Sequence, residues 1–164
     1  MTIKQILVER FSVISVKPFD QVIKALETRV GHPNMPDFVK DIASAKTFPE
    51  IEAIANRAIG SSGLMEFMRF DLGYVVSTHH GPTTPRSLRF VIGNPVVMKQ
   101  MLEHVPDAGS YAPVTILVDE RPDGVHLSYD TMTSFLTPYH NTQALKVAAD
   151  LDKKVVTLLS VAAA

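Results

Sequence analysis

The sequence predicts a single α+β domain spanning residues 1–164, in which helices pack on a curved antiparallel sheet. The order of predicted elements is a strand, two or three helices, two strands, a helix, a hairpin and a long helix. This order has too few single crossovers for a doubly wound parallel sheet. The hairpin is indicated by the Asp123-Gly124 step between two apolar runs. A chain of 164 residues is also long enough to bury a core without disulfides or metals.

The first half of the chain alternates one predicted strand with helices. β-Branched residues indicate a strand from Ile3 to Val16, and an apolar stripe predicts a helix from Pro18 to Val30. Two short helices follow in a predicted insertion, residues 32–62. The stretch from Leu64 to Ser77 is the longest strand candidate, and Gly81 to Pro85 is read as a loop.

The second half contains clearer boundaries. A strand from Arg86 to Ile92 ends in Gly93-Asn94-Pro95, where Asn94 is suited to cap a helix and Pro95 to begin it. Hairpin strands are predicted at Val114 to Asp119 and Val125 to Tyr129. A helical period then continues from Asn141 to Ala162, which is long enough to cross a whole sheet.

Composition argues against several classes of function. With 16 Lys and Arg against 17 Asp and Glu, the net charge is -1, so we expect no nucleic-acid partner. The chain has no cysteine, no stretch suited to a signal peptide and no run long enough to span a membrane, so we expect a cytoplasmic protein without a membrane partner.

Motifs for metals and cofactors are also missing from the sequence. The six histidines show no ligand spacing, and the adjacent side chains of His79 and His80 diverge in extended backbone, so no metal is expected. The segment Gly60-Ser61-Ser62-Gly63 is read as a helix stop and turn rather than a nucleophile elbow. Without a phosphate-binding glycine motif, we expect no cofactor.

The stretch from Met65 to Asp71 carries the candidate catalytic residues. Strand alternation places Glu66 on one face of the strand, and places Arg69 and Asp71 on the other. Burial beside apolar neighbours would make Glu66 a general acid, Arg69 an oxyanion partner, and Asp71 its orienting group or a base. A structural ion pair between Arg69 and Asp71 is the alternative interpretation.

Four further residues are candidate substrate contacts. His126 can shuttle protons near neutral pH or lie at the surface, and Tyr129 can bind a ligand carbonyl or fill the core. Asn94 lies at a helix start that suits an anion, although plain capping also explains it. Arg89 can add a charge to such a site or face water.

Three sequence blocks carry a family resemblance. They are Leu88-Arg89-Phe90-Val91-Ile92-Gly93-Asn94-Pro95, then Met101-Leu102 with Pro106, and Pro113-Val114-Thr115-Ile116-Leu117-Val118 leading to Asp123-Gly124 and Ser128-Tyr129. In this order they resemble the domain of unknown function 302 family. The resemblance implies a fold similar to the TATA-binding-protein-like class and a homodimer, without implying DNA binding. The segments around Gly31-His32-Pro33 and from Gly63 to Asp71 resemble a longer subgroup, which includes proteins found beside fungal polyketide pathways, where a relative is thought to close α-pyrone rings.

The resemblance and the candidate residues lead to two functional hypotheses. The first is a cofactor-independent cyclase that forms a lactone or α-pyrone on a polyketide-type substrate, because such chemistry needs little beyond substrate folding, an acid and an oxyanion partner. Glu66, Arg69 and Asp71 would be catalytic. The second is a dimeric small-molecule-binding protein that catalyses nothing.

Overall fold

Five strands form one open antiparallel sheet in the computed structural model, which describes residues 3–80 and 84–164 and, within that range, not the side chains of residues 78–80. The strand order across the sheet is β1-β5-β4-β3-β2. The strands are β1 (Arg10–Ser15), β2 (Met65–Asp71), β3 (Ser87–Gly93), β4 (Val114–Arg121) and β5 (Gly124–Asp130). The predicted α+β class with an antiparallel sheet is confirmed.

Seven α-helices accompany the sheet in the described part of the chain. They are α1 (Phe19–Glu27), α2 (Met35–Ser44), α3 (Phe48–Ala58), α4 (Leu72–His80), α5 (Pro95–Leu102), α6 (Met132–Leu136) and α7 (Thr142–Ala163), with short 3-10 helices at Pro106–Ser110 and Thr137–Tyr139. The long helix α7 contacts α1, α5, β1 and β5. Helices α2 and α3 lie between α1 and β2, where the sequence predicts two short helices.

One face of the sheet forms the hydrophobic core with the helices. Alternate residues of the three central strands are buried on this core face, and α7 covers them with a stripe of apolar side chains. The strand residues are Phe90, Ile92, Val114, Ile116, Val118, Val125, Leu127 and Tyr129. The intervening residues of these three strands lie on the opposite face, which we call the outer face; it also includes the half-exposed side chains of Ile14 in β1 and of Met68 and Phe70 in β2.

Two predicted strands are longer than the observed ones. The first strand begins at Arg10 rather than Ile3. The predicted strand from Leu64 to Ser77 is wrong in its second half, where helix α4 begins at Leu72. The carboxylate of Asp71 accepts a hydrogen bond from the Tyr74 N–H at 2.8 Å, so an aspartate at the end of the strand caps the new helix. The predicted loop from Gly81 lies partly outside the described residues.

The other boundary signals are confirmed. The Asn94 side chain accepts a hydrogen bond from the Val96 N–H, and Pro95 is the first residue of α5. Asn141 caps α7 in the same way through the Ala144 N–H. The hairpin pairs Arg121 with Gly124. Helix α6 was not predicted, because its five residues are too few to show a period.

Three backbone segments meet closely at two glycines, in what we call the glycine crossing (residues 29–31, 58–60 and 62–66). The Leu64 carbonyl accepts hydrogen bonds from the N–H groups of both Gly31 and Gly60, each at 2.9 Å. The Arg29 carbonyl accepts from the backbone N–H and the hydroxyl of Ser62. The crossing therefore ties the end of α1 and the end of α3 to the start of β2.

We predict that alanine at either glycine destabilises the fold. A Cβ atom at Gly31 would lie 1.9 Å from the carbonyl oxygen of Ala58, and one at Gly60 would lie 2.3 Å from the carbonyl oxygen of Arg29. Backbone cannot yield at such distances without breaking the crossing. We expect Gly31→Ala and Gly60→Ala each to lower the free energy of unfolding in urea by more than about 3 kcal/mol.

The matched control is Gly109→Ala. A Cβ atom there would meet only the end of the Leu102 side chain, at 3.1 Å, which can rotate away. We expect a change within about 1 kcal/mol. Equal stability of the three variants would contradict the close approach described here.

Candidate functional site

A β-bulge in β2 changes which side chains share a face. The pairing of β2 with β3 shifts between Glu66 and Met68, so that Glu66 lies opposite Ile92 and Arg69 lies opposite Phe90. Because Ile92 and Phe90 are core residues, both Glu66 and Arg69 lie on the core face. The predicted alternation, which separated Glu66 from Arg69, is wrong because the extra residue at the bulge inverts the phase.

Glu66, Arg69 and Glu27 form an ionic cluster at the edge of the core. The Nε and Nη2 atoms of Arg69 donate to the two carboxylate oxygens of Glu66 at 3.0 and 2.7 Å, and its Nη1 atom donates to Glu27 at 2.6 Å. The guanidinium also lies 4.4 Å from the centre of the Phe90 ring. The Glu66 side chain is only 13% exposed, so its charge depends on Arg69 for compensation.

His32 extends this cluster through both ring nitrogens. Its Nε2 atom lies 3.0 Å from the Glu27 backbone carbonyl, and its Nδ1 atom lies 3.5 Å from a Glu66 carboxylate oxygen. Both neighbours are acceptors, so only the doubly protonated ring can donate to both. His32 and Glu27 were not candidates in the sequence, because no spacing connects them to β2. The glycine crossing brings them beside that strand.

The cluster is internally satisfied rather than open. Burial lowers the pKa of the Arg69 guanidinium, but the hydrogen bonds that Arg69 donates to Glu66 and Glu27 outweigh this effect and leave the pKa above its ordinary value. Both Glu66 oxygens are occupied by the same guanidinium. Acid or oxyanion chemistry here would require a substrate to displace one of these bonds.

Asp71 does not share the hydrogen bonds of the ionic cluster. Its carboxylate caps α4, and Arg69 instead bonds to the two glutamates. The proposed ion pair between Arg69 and Asp71 is therefore wrong. The cap explains why an acidic residue stands at the end of β2.

Arg89 and His126 share the outer face of the sheet. Arg89 pairs across the strands with Phe70 and Leu117, and it forms no ion pair within residues 3–80 and 84–164. His126 bonds through Nε2 to the Asp123 carboxylate at 2.8 Å, and this bond lowers the pKa of Asp123. Arg89 lines a shallow groove of about 210 Å³.

Asn94 and Tyr129 already have protein partners. The Asn94 amide donates to the Gly63 carbonyl at 3.1 Å while its oxygen caps α5. The Tyr129 hydroxyl donates to Asp152 at 2.6 Å, in the core between β5 and α7. Burial and the adjacent carboxylate raise the pKa of the Tyr129 phenol well above its ordinary value, so it remains a neutral donor.

Asp152 connects α7 to the start of α6. Besides Tyr129, its carboxylate accepts hydrogen bonds from the backbone N–H groups of Met132 and Thr133, at 2.7 and 3.0 Å. The N–H groups of Met132 and Thr133 belong to the first turn of α6, where backbone donors have no acceptor within the helix. Asp152 therefore caps α6 from another element, α7. Tyr129 thus has a structural role in this geometry.

A cleft of about 590 Å³ lies between α7 and the turn that follows α3. Its lining residues are Arg29, Ser61, Ser62, Asp150, Lys153, Lys154, Thr157, Leu158 and Val161. The volume is within the range of small-molecule sites, roughly 300–1,000 Å³. None of these residues was a candidate in the sequence.

The cleft carries a net positive charge. Arg29, Lys153 and Lys154 contribute three cations against the one carboxylate of Asp150. The Arg29 guanidinium donates only to the Ala25 carbonyl and the Thr28 hydroxyl, and in the described part of the chain none of the three cations forms an ion pair. Uncompensated cations beside the Ser61 hydroxyl suit an anion, whereas the Ser62 hydroxyl already donates to the Arg29 carbonyl.

The described residues contain no cluster of three or more His, Asp or Glu side chains placed to hold a metal ion. The side chains of His79 and His80 lie outside them. Within the same residues, no helix has the length and apolar character needed to cross a bilayer.

We predict that Asp152 contributes strongly to stability. Asp152→Ala would leave the Thr133 N–H and the Tyr129 hydroxyl without a partner acceptor, and the Met132 N–H with only the Tyr129 oxygen, so we expect a loss of about 2–4 kcal/mol in urea unfolding. Tyr129→Phe removes one donor to Asp152 and one acceptor of the Met132 N–H, which keeps Asp152 as its partner, and should cost about 1 kcal/mol. Asp41→Ala, at an exposed acid of α2, is the control and should change stability by less than about 0.5 kcal/mol. An Asp152→Ala variant as stable as this control would contradict the capping role.

Comparison with known proteins agrees with the fold and the sequence blocks. Residues 40–162 match the family model described as domain of unknown function DUF302. The chain is also similar to a crystal structure of an uncharacterized conserved DUF302 protein from Bacillus stearothermophilus, with a TM-score of 0.66 and 12% identity over 93% of this chain and 97% of that one. No curated protein matches the chain. The family model covers most of the chain, and the chain therefore belongs to the DUF302 family.

Proposed function

We propose that this protein binds a small organic anion in the cleft between α7 and the Ser61-Ser62 turn. The observation that carries this proposal is the grouping of Arg29, Lys153 and Lys154 around one cavity without a compensating ion pair among the described residues. Like charges held together reduce stability in the absence of a ligand, and an anion would relieve that repulsion.

The glycine crossing makes one wall of this cleft rigid. The Arg29 carbonyl accepts two hydrogen bonds from Ser62, so these two residues of the same wall are fastened to each other. A preformed wall reduces the entropy that a ligand must overcome on binding. The opposite wall is α7, which is fixed by its core contacts.

The binding proposal is tested by titrating the protein with citrate, benzoate and hexanoate, followed by NMR or calorimetry. We expect Lys153→Ala/Lys154→Ala to weaken the best of these ligands by about tenfold or more, which corresponds to about 1.4 kcal/mol. The control is Lys40→Ala/Lys46→Ala, which removes two exposed lysines of the insertion. Equal affinities of the two double variants would contradict the site, as would a complete lack of binding.

Lactone or α-pyrone formation on a polyketide-type substrate is the second candidate function, and the ionic cluster is the observation that favours it. Glu66 is mostly buried, accepts hydrogen bonds from the Arg69 guanidinium and has His32 beside it, which brings a carboxylate, a group able to bind an oxyanion and an imidazole together in one site. The cluster and the cleft are connected through residues 27–32, which contribute Glu27 and His32 to one and Arg29 to the other. The polyketide link rests on the resemblance to the longer subgroup.

The cyclase proposal is tested with a purified linear polyketide acid and product analysis by mass spectrometry. Loss of one water from the substrate is the expected change. We expect Glu66→Gln and Arg69→Met to reduce turnover by about 100-fold or more, with folding checked by circular dichroism. Glu103→Gln, at an exposed pair with Lys99, is the control. Unchanged turnover in both cluster variants would remove this site from the reaction. The homodimer stays a prediction for either function.

A further inference from the structure

The cleft changes in polarity along its length. The six residues that α7 contributes recur at intervals of three and one, so they form a single stripe on the helix. Asp150, Lys153 and Lys154 lie at one end, and Leu158 and Val161 lie at the other. At 1.5 Å per residue, the stripe extends about 16 Å, and the distance from Lys154 to Val161 is about 10 Å.

The charged end of the stripe faces the other polar groups of the cleft. The Lys154 ammonium lies close to Gly63, since a Cβ atom built there would be 3.6 Å from Nζ. Ser61 and Ser62 immediately precede that glycine and line the same cleft, and Arg29 is fastened to Ser62. The cations and the Ser61 hydroxyl therefore line the same end of the cleft.

The apolar end leaves a hydrophobic side chain exposed. Val161 is 42% exposed although most apolar side chains of α7 are buried, and its neighbour in the stripe, Leu158, reaches the core. A ligand that covers an exposed apolar side chain in a concave site stabilises the complex by about 25 cal/mol for each Å² of apolar surface removed from water.

We infer that the ligand of this cleft is an amphiphilic anion, with a carboxylate or phosphate at Arg29, Lys153 and Lys154 and a flexible or flat apolar body that extends along α7 to Val161. This inference rests on the proposed binding function and narrows its ligand class. A purely polar anion would leave Val161 exposed, and a neutral apolar molecule would leave the cations uncompensated.

The test is a chain-length series of acetate, butanoate, hexanoate and octanoate, titrated against the full chain. We expect affinity to rise at each step, by up to about fourfold for each methylene that becomes buried. Octanol, which keeps the tail without the charge, should bind at least tenfold more weakly than octanoate. Val161→Asn should flatten the series, and Val39→Asn, at an exposed valine of α2, should leave both the series and acetate binding unchanged.

The outcomes separate the inference from the function on which it rests. Binding of all four carboxylates with equal affinity would overturn the amphiphilic ligand and leave the anion site intact. Octanol that binds as tightly as octanoate, or a series unaffected by Val161→Asn, would also overturn it. Lack of binding by every carboxylate would overturn both the inference and the anion site.

Discussion

The passage of three backbone segments past Gly31 and Gly60 is the constraint on which both candidate sites depend. Two carbonyl groups, those of Arg29 and Leu64, each accept two hydrogen bonds there, so the ends of α1 and α3 and the start of β2 cannot move independently. Side chains at the two glycines would collide with backbone atoms. Residues far apart in the sequence are thereby held within a few ångströms of one another.

The glycine crossing contributes to both the ionic cluster and the cleft, but the electrostatics of these two sites differ. In the cluster, two glutamates surround one arginine and satisfy it, which favours a role in holding β2 to the end of α1. In the cleft, three cations have a single carboxylate nearby and no ion pair among the residues described. This imbalance is why binding at the cleft is a better supported proposal than chemistry at the cluster.

Local signals in the sequence were sufficient for much of the fold. The caps and the hairpin could be predicted from short segments, because each depends on contacts within a few residues of the chain. The segments are Asn94-Pro95, Asn141 and Asp123-Gly124. The strand after Leu64 was more difficult, because Val75 and Val76 favour a strand while the Asp71 cap and the packing against β3 select a helix.

The sites were less accessible to sequence reasoning. One bulged residue in β2 reversed the alternation and brought Glu66 and Arg69 to the same face, and a bulge leaves no pattern in a single sequence. The cleft is lined by Arg29, Ser62 and Lys153, which are far apart in the sequence and are brought together only by tertiary structure. The stripe on α7 carries no signal of its own, because charged and apolar residues at helical spacing are also typical of an ordinary amphipathic helix.

The most direct measurement of the central claim is NMR chemical-shift mapping of the labelled protein during titration with an organic anion such as hexanoate. The anion site predicts that the largest shifts occur at the amides of residues 61–63 and 153–161, with smaller changes in the rest of the glycine crossing. Shifts concentrated around Arg89 and His126 on the outer face, or no localised shifts at all, would contradict it.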